Sequence, residues 1–261
     1  MTGNSRVALV TGATSGIGLA IAQRLTQAGY WVALHSRASS AAGLQAAATL
    51  AGAHYFQADL LEDGERRDLI NQVYTHYGRL DVLVNNAGES SMIPHDDLQA
   101  ATPDLWHRLY ELHVVAPWQL VALSEPYLRA ASTAEHPAAV LNISSHAGVR
   151  PKGASIPYAA SKAALIHVTR LLAKTLGPDI RVNAIAPGLV DTPLTEDWVA
   201  IREQWMREAP MRRSARPNDI ADVAMMLTES TYLTGEVFRG NCISRLSICH
   251  FAHWRHIFTI A

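Results

Sequence analysis

Short apolar segments alternate along the chain with longer segments of helical periodicity. The apolar segments show little alternation of polar and apolar positions, which is typical of parallel strands buried on both faces. Strands are predicted at Val7–Val10, Trp31–His35, His54–Gln57, Val82–Asn85, Ala138–Ile143, Arg181–Ile185 and Gly235–Phe238. Helices are predicted at Ile17–Ala28, Ala41–Leu50, Glu62–Tyr77, Pro103–Ala130, Pro157–Leu176 and Pro217–Glu229. This order predicts a doubly wound α/β fold of the Rossmann type, with a parallel sheet of about seven strands and helices on both faces.

The chain is predicted to form one domain followed by a distinct tail. No linker rich in Pro, Gly or Ser divides residues 1–240, so we predict one domain there, followed by a divergent tail at 241–261. The segment Thr195–Arg216 is predicted to be helical and to cap the carboxyl ends of the strands, where ligands of open α/β sheets bind. The tail contains both cysteines and three histidines, but their spacing matches no zinc pattern, so we predict no metal site.

Composition and charge narrow the class of protein. Lys plus Arg number 22 and Asp plus Glu number 23, so the net charge is −1 and no basic face for nucleic acid or a membrane surface is indicated. No apolar run reaches the roughly 20 residues of a membrane-spanning helix. Two cysteines favour a reducing cytoplasm. Charged residues make up 17%, which suggests that a partner subunit covers part of the surface.

A glycine-rich segment, Thr11–Gly18, joins the first strand to the first helix. Glycines at 12, 16 and 18 would allow a sharp turn, a close approach of a pyrophosphate to the backbone, and tight packing of the helix on the sheet. The start of the helix then presents N–H groups and a partial positive charge to the phosphates. The predicted cofactor contacts in this segment are Gly12, Thr14, Ser15, Gly16, Ile17 and Gly18.

The end of the second strand predicts which nicotinamide cofactor is used. An acidic residue at this position would bind the adenosine ribose hydroxyls and favour NAD. The chain has Ser36 followed by Arg37 instead, and a guanidinium can bind a 2′-phosphate through paired charged hydrogen bonds. This pair favours NADP(H), although an exposed arginine at the start of a loop is the simpler alternative.

A tyrosine and a lysine four residues apart, Tyr158 and Lys162, would share one face of a helix. The ammonium group would favour the phenolate and lower the pKa of the tyrosine, which could then act as a general acid or base. Ser145 lies at the end of the fifth strand and could place its hydroxyl beside the tyrosine to polarise a carbonyl oxygen.

From about Val7 to about Phe238 the chain resembles the short-chain dehydrogenase/reductase family, in its compact single-domain branch. The glycine segment, the Ser145, Tyr158 and Lys162 set, and the Asn85–Gly88 segment all match family motifs at family spacing. Further cofactor contacts are implied by the resemblance: Asp59, Leu60, Asn86, Ala87, Gly88, Tyr158, Lys162, Pro187, Gly188, Val190 and Thr192. It also implies homodimers or homotetramers formed through the helices Pro103–Ala130 and Pro157–Leu176.

The resemblance implies a role for each catalytic residue. Tyr158 would protonate the carbonyl oxygen in reduction, Ser145 would hydrogen-bond that oxygen, and Lys162 would lower the pKa of Tyr158 and bind the nicotinamide ribose. The substrate pocket is expected to contain Glu89, Ser90, His146, Leu189, Leu194 and Trp198. Other histidines are expected at the surface or in loops: His35, His54, His76, His95 and His107.

Two features depart from the family pattern. His113 stands where the family has a catalytic asparagine whose backbone carbonyl holds a water molecule. The histidine is a tolerated replacement, a change to the proton relay and its pH dependence, or a sign of weakened catalysis. The tail lacks the Asp-Gly-Gly turn that usually follows the last strand, which puts the family's subunit contact and part of the pocket in doubt.

These observations predict an NADP(H)-dependent enzyme of the cytoplasm that interconverts a small-molecule ketone and a secondary alcohol by hydride transfer. A 3-ketoacyl-thioester or pteridine reductase on the same fold is one alternative. A protein that binds the cofactor but is catalytically weak and regulatory is another. The substrate, its stereochemistry and the direction of reaction do not follow from the sequence.

Overall fold

The computed structural model describes residues 5–38 and 40–240, and the predicted tail lies outside these residues. The described residues form a seven-stranded parallel sheet in the order β3-β2-β1-β4-β5-β6-β7, which confirms the predicted Rossmann-type fold. The strands are β1 (Val7–Val10), β2 (Trp31–Ser36), β3 (His54–Gln57), β4 (Val82–Asn85), β5 (Ala138–Ile143), β6 (Ile180–Pro187) and β7 (Val237–Gly240). The strand order reverses between β1 and β4, where a crevice opens at the carboxyl ends of the strands.

Eight α-helices lie within the described residues, on the two faces of the sheet. They are α1 (Gly16–Gln27), α2 (Ser40–Thr49), α3 (Asp63–Tyr77), α4 (Pro103–Tyr110), α5 (Ala116–Ala131), α6 (Ile156–Leu176), α7 (Val199–Glu208) and α8 (Pro217–Glu229). Apolar residues of α3, α5 and α6 form a core on one face, and those of α1 and α8 form a second core on the other. Because both faces are covered, β1, β4 and β5 are apolar at every position except Asn85 and Asn142.

The long helix predicted at Pro103–Ala130 is interrupted, which corrects the prediction. A π-helical turn at Glu111–Val115 separates α4 from α5. Pro117 has no N–H group, so the carbonyl of His113 cannot receive the α-helical hydrogen bond from the residue four positions later. The chain accommodates this with one wider turn. Arg66, a buried residue, holds the turn through an ion pair with Glu111 at 2.6 Å.

Several other predicted elements differ from the observed bounds, and two of these differences have a clear physical cause. The segment predicted as helix from Thr195 to Arg216 is α-helical only in α7, which ends because Ala209 precedes Pro210 and takes an extended conformation. The last strand begins two residues later than predicted. Gly235 lies in the preceding turn, with a φ of +77°.

Buried amide and hydroxyl groups tie the long helix α6 to the sheet. Asn85 donates to Asn142 at 2.9 Å, and Asn142 donates to the hydroxyl of Thr169 at 2.9 Å. Thr169 in turn donates to the carbonyl of Leu165. Because unpaired polar groups are costly in the interior, this chain of bonds fixes how α6 lies against β4 and β5.

His35 is buried in β2, so the expectation that it lies at the surface or in a loop is wrong. The other histidines expected there are exposed: His54, His76, His95 and His107. The Nδ1 of His35 accepts a hydrogen bond from the N–H of Gly12 at 3.4 Å, and its Nε2 donates to the carbonyl of Ala58 at 2.9 Å. Burial lowers the pKa of His35 to about 4. The neutral ring therefore joins the segment after β1 to the end of β3.

No helix within residues 5–38 and 40–240 combines the length and the apolar character that a bilayer span requires.

We predict that Gly18→Ala strongly destabilises the protein. A Cβ at residue 18 would lie 2.2 Å from the carbonyl oxygen of Gly12 and 2.5 Å from the side-chain nitrogen of Asn86. Overpacking of this kind costs about 1–3 kcal/mol. Gly64→Ala is the matched control, since nothing lies within 4 Å of its Cβ position in α3, and it should be neutral or stabilise by up to about 1 kcal/mol. Urea unfolding of both variants measures the difference, and equal stabilities would contradict the packing argument.

We predict that His35 makes the protein less stable in mild acid. The unfolded chain binds a proton at this residue below about pH 6.5, while the folded state binds it only near pH 4. Stability is therefore complete above pH 6.5 and falls as the pH drops towards 4, by on the order of 3 kcal/mol in total. The free energy of unfolding measured between pH 7.5 and 4.5 should fall less steeply in His35→Gln. The exposed His107→Gln is the control, and an unchanged slope in His35→Gln would refute the assignment.

Candidate active site

The glycine-rich segment forms one wall of a cleft at the carboxyl ends of β1 and β4. Gly12 and Gly16 have φ angles of +64° and +55°, a conformation that side chains disfavour. The side chain of Ser15, the residue before α1, makes no capping hydrogen bond, so the first N–H groups of the helix have no partner from it. An unblocked helix start lined by glycine suits a phosphate group, and a pyrophosphate therefore fits this wall.

The segment after β4 holds the glycine wall in place. The side chain of Asn86 donates to the carbonyls of Thr11 at 2.9 Å and Gly12 at 3.1 Å. The hydroxyl of Thr11 accepts the N–H groups of Asn86 and Ala87 at 2.9 and 3.0 Å. Asn86, Ala87 and Gly88 also line the cleft, and their contact with a cofactor stays a prediction. The Asn86 side chain thus braces the neighbouring loop.

The residues predicted for the adenosine end lie beyond the cleft. Ser36 is buried and shares a hydrogen bond of 2.9 Å with the hydroxyl of Tyr55. Arg37 is exposed, and its guanidinium has no partner among residues 5–38 and 40–240. The carboxylate of Asp59 accepts the N–H of Leu61 at 3.0 Å, and Leu60 is buried. A cation is therefore available next to the end of β2.

Ser145, Tyr158 and Lys162 meet at the base of the cleft. Ser145 precedes a short helical turn at His146–Gly148, and its hydroxyl accepts the N–H of Ala147 at 3.2 Å. Gly148 allows this turn to lie against α6, since a Cβ there would come within 2.7 Å of the backbone of Lys162. The side chain of Ser145 lies close enough to the Tyr158 phenol to lower the pKa of that phenol. The three predicted catalytic side chains are thus brought together from β5 and α6.

Burial sets the protonation of these groups. It raises the pKa of Tyr158 above its usual value of 10, and the hydrogen bond with Ser145 offsets only part of this rise. Burial also lowers the pKa of Lys162 to about 8. The ammonium group donates to the carbonyl of Ile143 at 2.9 Å and lies 5.9 Å from the centre of the Tyr158 ring. The phenol is therefore protonated at neutral pH, and the expected effect of Lys162 on its pKa stays a prediction.

His113 lies behind the cleft wall and is almost fully buried. Its two ring nitrogens bond the N–H of Glu89 at 3.2 Å and the hydroxyl of Ser161 at 2.9 Å. Its ring stands perpendicular to that of Tyr158, with 5.6 Å between the ring centres. Burial and the nearby charge of Lys162 lower the pKa of His113 well below 6.5. The imidazole is therefore neutral at physiological pH.

The cleft has a volume of about 500 Å³ and includes most of the predicted pocket. Glu89, His146, Leu189, Leu194 and Trp198 line it, whereas the hydroxyl of Ser90 is enclosed by protein and does not reach the wall. Several lining residues were not predicted individually: Met92, Lys152, Ile201, Gln204, Trp205 and Glu208. The spacing of Trp198, Ile201 and Trp205 on one face of a helix was the signal that could have identified this wall.

Ion pairs close the rim of the cleft. Arg108 holds the carboxylate of Glu89 with two hydrogen bonds of 2.5 and 2.8 Å. Lys152 lies 3.5 Å from Glu208 and so connects the loop before α6 to the end of α7. Within the described part of the chain, no three His, Cys, Asp or Glu side chains are grouped as metal ligands, and the Cys249, His250, His253 and His256 set lies outside it.

Comparisons with known proteins agree with this geometry. A family model described as enoyl-(acyl carrier protein) reductase matches residues 12–241. A protein of Streptomyces violaceoruber, named as ketoacyl reductase 2 of the granaticin polyketide synthase, is 46% identical over 234 residues, covering 88% of this chain and 92% of the relative.

Two solved structures are similar over nearly their whole length. The RhlG/NADP active-site complex of Pseudomonas aeruginosa has a TM-score of 0.85 and 34% identity, covering 92% of this chain and 96% of that one. A 3-ketoacyl-(acyl-carrier-protein) reductase of Brucella melitensis in complex with NADH has a TM-score of 0.83 and 27% identity, covering 90% and 96%. On the strength of these matches, the chain belongs to the short-chain dehydrogenase/reductase family, whose members are nicotinamide-dependent oxidoreductases.

Proposed function

We propose that the protein is an NADP(H)-dependent reductase that converts a ketone into a secondary alcohol. The observation that carries the proposal is the convergence of Ser145, Tyr158 and Lys162 at the base of the cleft, where the ammonium group of Lys162 lies 5.9 Å from the centre of the tyrosine ring. A carbonyl oxygen placed against both hydroxyls would be polarised by Ser145 and would receive its proton from Tyr158.

The cofactor would lie along the glycine wall. Gly12, Ser15, Gly16 and Ile17 would bind its pyrophosphate, and the cleft-lining segment Pro187–Thr192 would flank its nicotinamide. When bound, the nicotinamide supplies the hydride. Lys162 would bind the nicotinamide ribose and support the charge of the tyrosine.

NADP(H) is preferred over NAD(H) in this proposal because of the residues after β2. Position 36 has a buried serine whose hydroxyl already bonds Tyr55, so no carboxylate is present there to bind both ribose hydroxyls. The exposed guanidinium of Arg37 supplies the charge that a 2′-phosphate requires. The NADP complex of RhlG supports this preference, while the NADH complex of the Brucella enzyme shows that the fold accepts either cofactor.

The protonated state of Tyr158 fits its proposed role as the acid in reduction. Burial raises the pKa of the phenol, so it holds the proton that reduction must deliver to the carbonyl oxygen. After transfer, the phenolate would face the ammonium of Lys162, whose pKa near 8 leaves it mostly charged at neutral pH. The arrangement therefore suits an acid that releases its proton only to a developing alkoxide.

A 3-ketoacyl thioester is the second candidate substrate. Arg150, Lys152 and Arg239 all lie close enough to His146, a residue of the cleft, to lower its pKa. This cluster of positive charge would favour an anionic phosphopantetheine or coenzyme tail. The names of the relatives support the same substrate class.

The proposal extends to assembly and location. We propose a homodimer or homotetramer in the cytoplasm, formed through α5 and α6. Trp118 on α5 and Leu171 on α6 are each about half exposed, at 50% and 54%. Burial of such side chains between subunits would stabilise the assembly.

We predict that Tyr158→Phe abolishes reduction without unfolding the protein. The variant loses the proton donor, and loss of a positioned acid lowers rates by about 100- to 10,000-fold. NADPH oxidation with a panel of ketones and ketoacyl thioesters gives kcat, and quenching of tryptophan fluorescence gives NADPH affinity, which should be retained. Tyr232→Phe, at a residue that is 89% exposed, is the control. Full activity in Tyr158→Phe would refute the function, and NADPH binding without turnover in the unaltered protein would favour the regulatory alternative.

We predict that Arg37→Ala weakens the use of NADPH but not of NADH. Loss of a charge-assisted contact with the 2′-phosphate should raise the KM for NADPH by about 10- to 100-fold, since such bonds contribute about 1.5–3 kcal/mol. The KM for NADH should stay the same. Arg67→Ala is the control, because this arginine pairs only with Asp63 on the surface of α3 in the described structure. An equal rise for both cofactors would contradict the assignment of Arg37.

A further inference from the structure

His113 lies between two walls of the site. It is the central residue of the π-helical turn and is 1% exposed. On one side it bonds the backbone of Glu89, which follows the cleft-lining Gly88. On the other side it bonds Ser161 on α6, one residue before Lys162.

The partners of the ring determine which nitrogen holds the proton. A backbone N–H can only donate, so the Nε2 that faces Glu89 must be unprotonated. The proton of the neutral ring is therefore on Nδ1, which donates to the hydroxyl of Ser161. Ser161 in turn donates to the carbonyl of Tyr158 at 2.8 Å. All three hydrogen bonds therefore run in one direction, from Glu89 to the backbone of Tyr158.

The ring also contacts the site by packing. It stands edge-on to the ring of Tyr158, with an angle of 89° between the two planes. A Cβ added to Gly88 would lie 3.2 Å from Nε2 of His113 and 3.6 Å from Nζ of Lys162. The imidazole therefore fills the space between the loop after β4 and the helix that carries the acid.

We propose that His113 is a positioning residue that uses its two ring nitrogens separately, one to fix the cofactor-binding loop and the other to fix Tyr158. The inference rests on the proposed function, because it assigns the loop side to NADPH binding and the α6 side to proton transfer. This role differs from that of the asparagine that the family has at this position. An asparagine side chain is too short to place one group at each of the two ring nitrogens, so it could not bond both Glu89 and Ser161 as His113 does.

Two amide variants separate the two bonds. The side-chain amide of asparagine lies at the place of Nδ1, and that of glutamine extends to the place of Nε2. His113→Asn should therefore keep the bond to Ser161, with kcat within about threefold of the unaltered protein and a dissociation constant for NADPH raised about fivefold or more. His113→Gln should keep the bond to Glu89, with NADPH affinity near normal and kcat reduced about tenfold or more. His113→Phe should lose both.

A double-mutant cycle tests the path through Ser161. Ser161→Ala should reduce kcat as much as His113→Gln does, and the double variant Ser161→Ala/His113→Phe should be no slower than His113→Phe. Thr175→Ala is the control, since it removes an exposed hydroxyl of α6 that, among the described residues, bonds only the carbonyl of Leu171, outside the site. Its kcat and NADPH affinity should match those of the unaltered protein.

The outcome is decided by the split between kcat and NADPH affinity. The proposal is supported if His113→Asn mainly loses NADPH affinity while His113→Gln mainly loses kcat. Parallel losses in both variants, in proportion to their loss of stability, would overturn it and leave His113 as a packing residue. The Tyr158→Phe variant keeps this result separate from the proposed function. If that variant is inactive and no split is found, the inference about His113 fails alone.

Discussion

The hydrogen bonds between Thr11 and Asn86 join the two sides of the cleft where the strand order of the sheet reverses. The chain leaves β1 towards one face and β4 towards the other, so a crevice opens between them. Asn86 donates to the carbonyls of Thr11 and Gly12. The start of α1 lines the same cleft, and the Ser15 side chain does not cap it. Further along the segment after β4, the N–H of Glu89 bonds His113, and His113 bonds Ser161 on α6. The glycine-rich wall and Tyr158 are thus parts of one connected structure.

Burial shifts the pKa of each buried titratable group along this connected structure towards the uncharged form. His35, His113 and Tyr158 all favour their uncharged forms, because the low-dielectric interior penalises charge. The pKa of Lys162 is lowered as well, but only to about 8, so this residue stays mostly protonated at neutral pH. One positive charge therefore lies beneath a neutral phenol. That arrangement would stabilise a negative oxygen at Tyr158 when it forms.

Much of the fold could be predicted because strands covered on both faces leave uninterrupted apolar runs, and five of the seven predicted strands begin at the observed residue. The π-helical turn could not be predicted from periodicity, since the apolar pattern continues through Glu111–Val115. Pro117 was its chemical signal, because it removes a donor to the carbonyl of His113. His35 was misplaced because its partners, Gly12 and Ala58, are distant in sequence from it. The motif residues of the site could be located because their roles depend on local turns, whereas the pKa of Tyr158 depends on burial by the whole fold.

The wall formed by α7 differs in kind from the base of the cleft. None of the residues of α7 is buried, so the core does not fix this helix. It is connected to the other side of the cleft by the contact of Trp205 with His146 and by the long ion pair of Lys152 with Glu208. Segments with few buried contacts open at low cost, which suits a wall that must admit and release a substrate. Because α7 contributes so little to the core, its side chains can change without disturbing Tyr158. The reaction class is therefore fixed by buried residues, while the choice of carbonyl compound is left to a wall that the fold does not constrain.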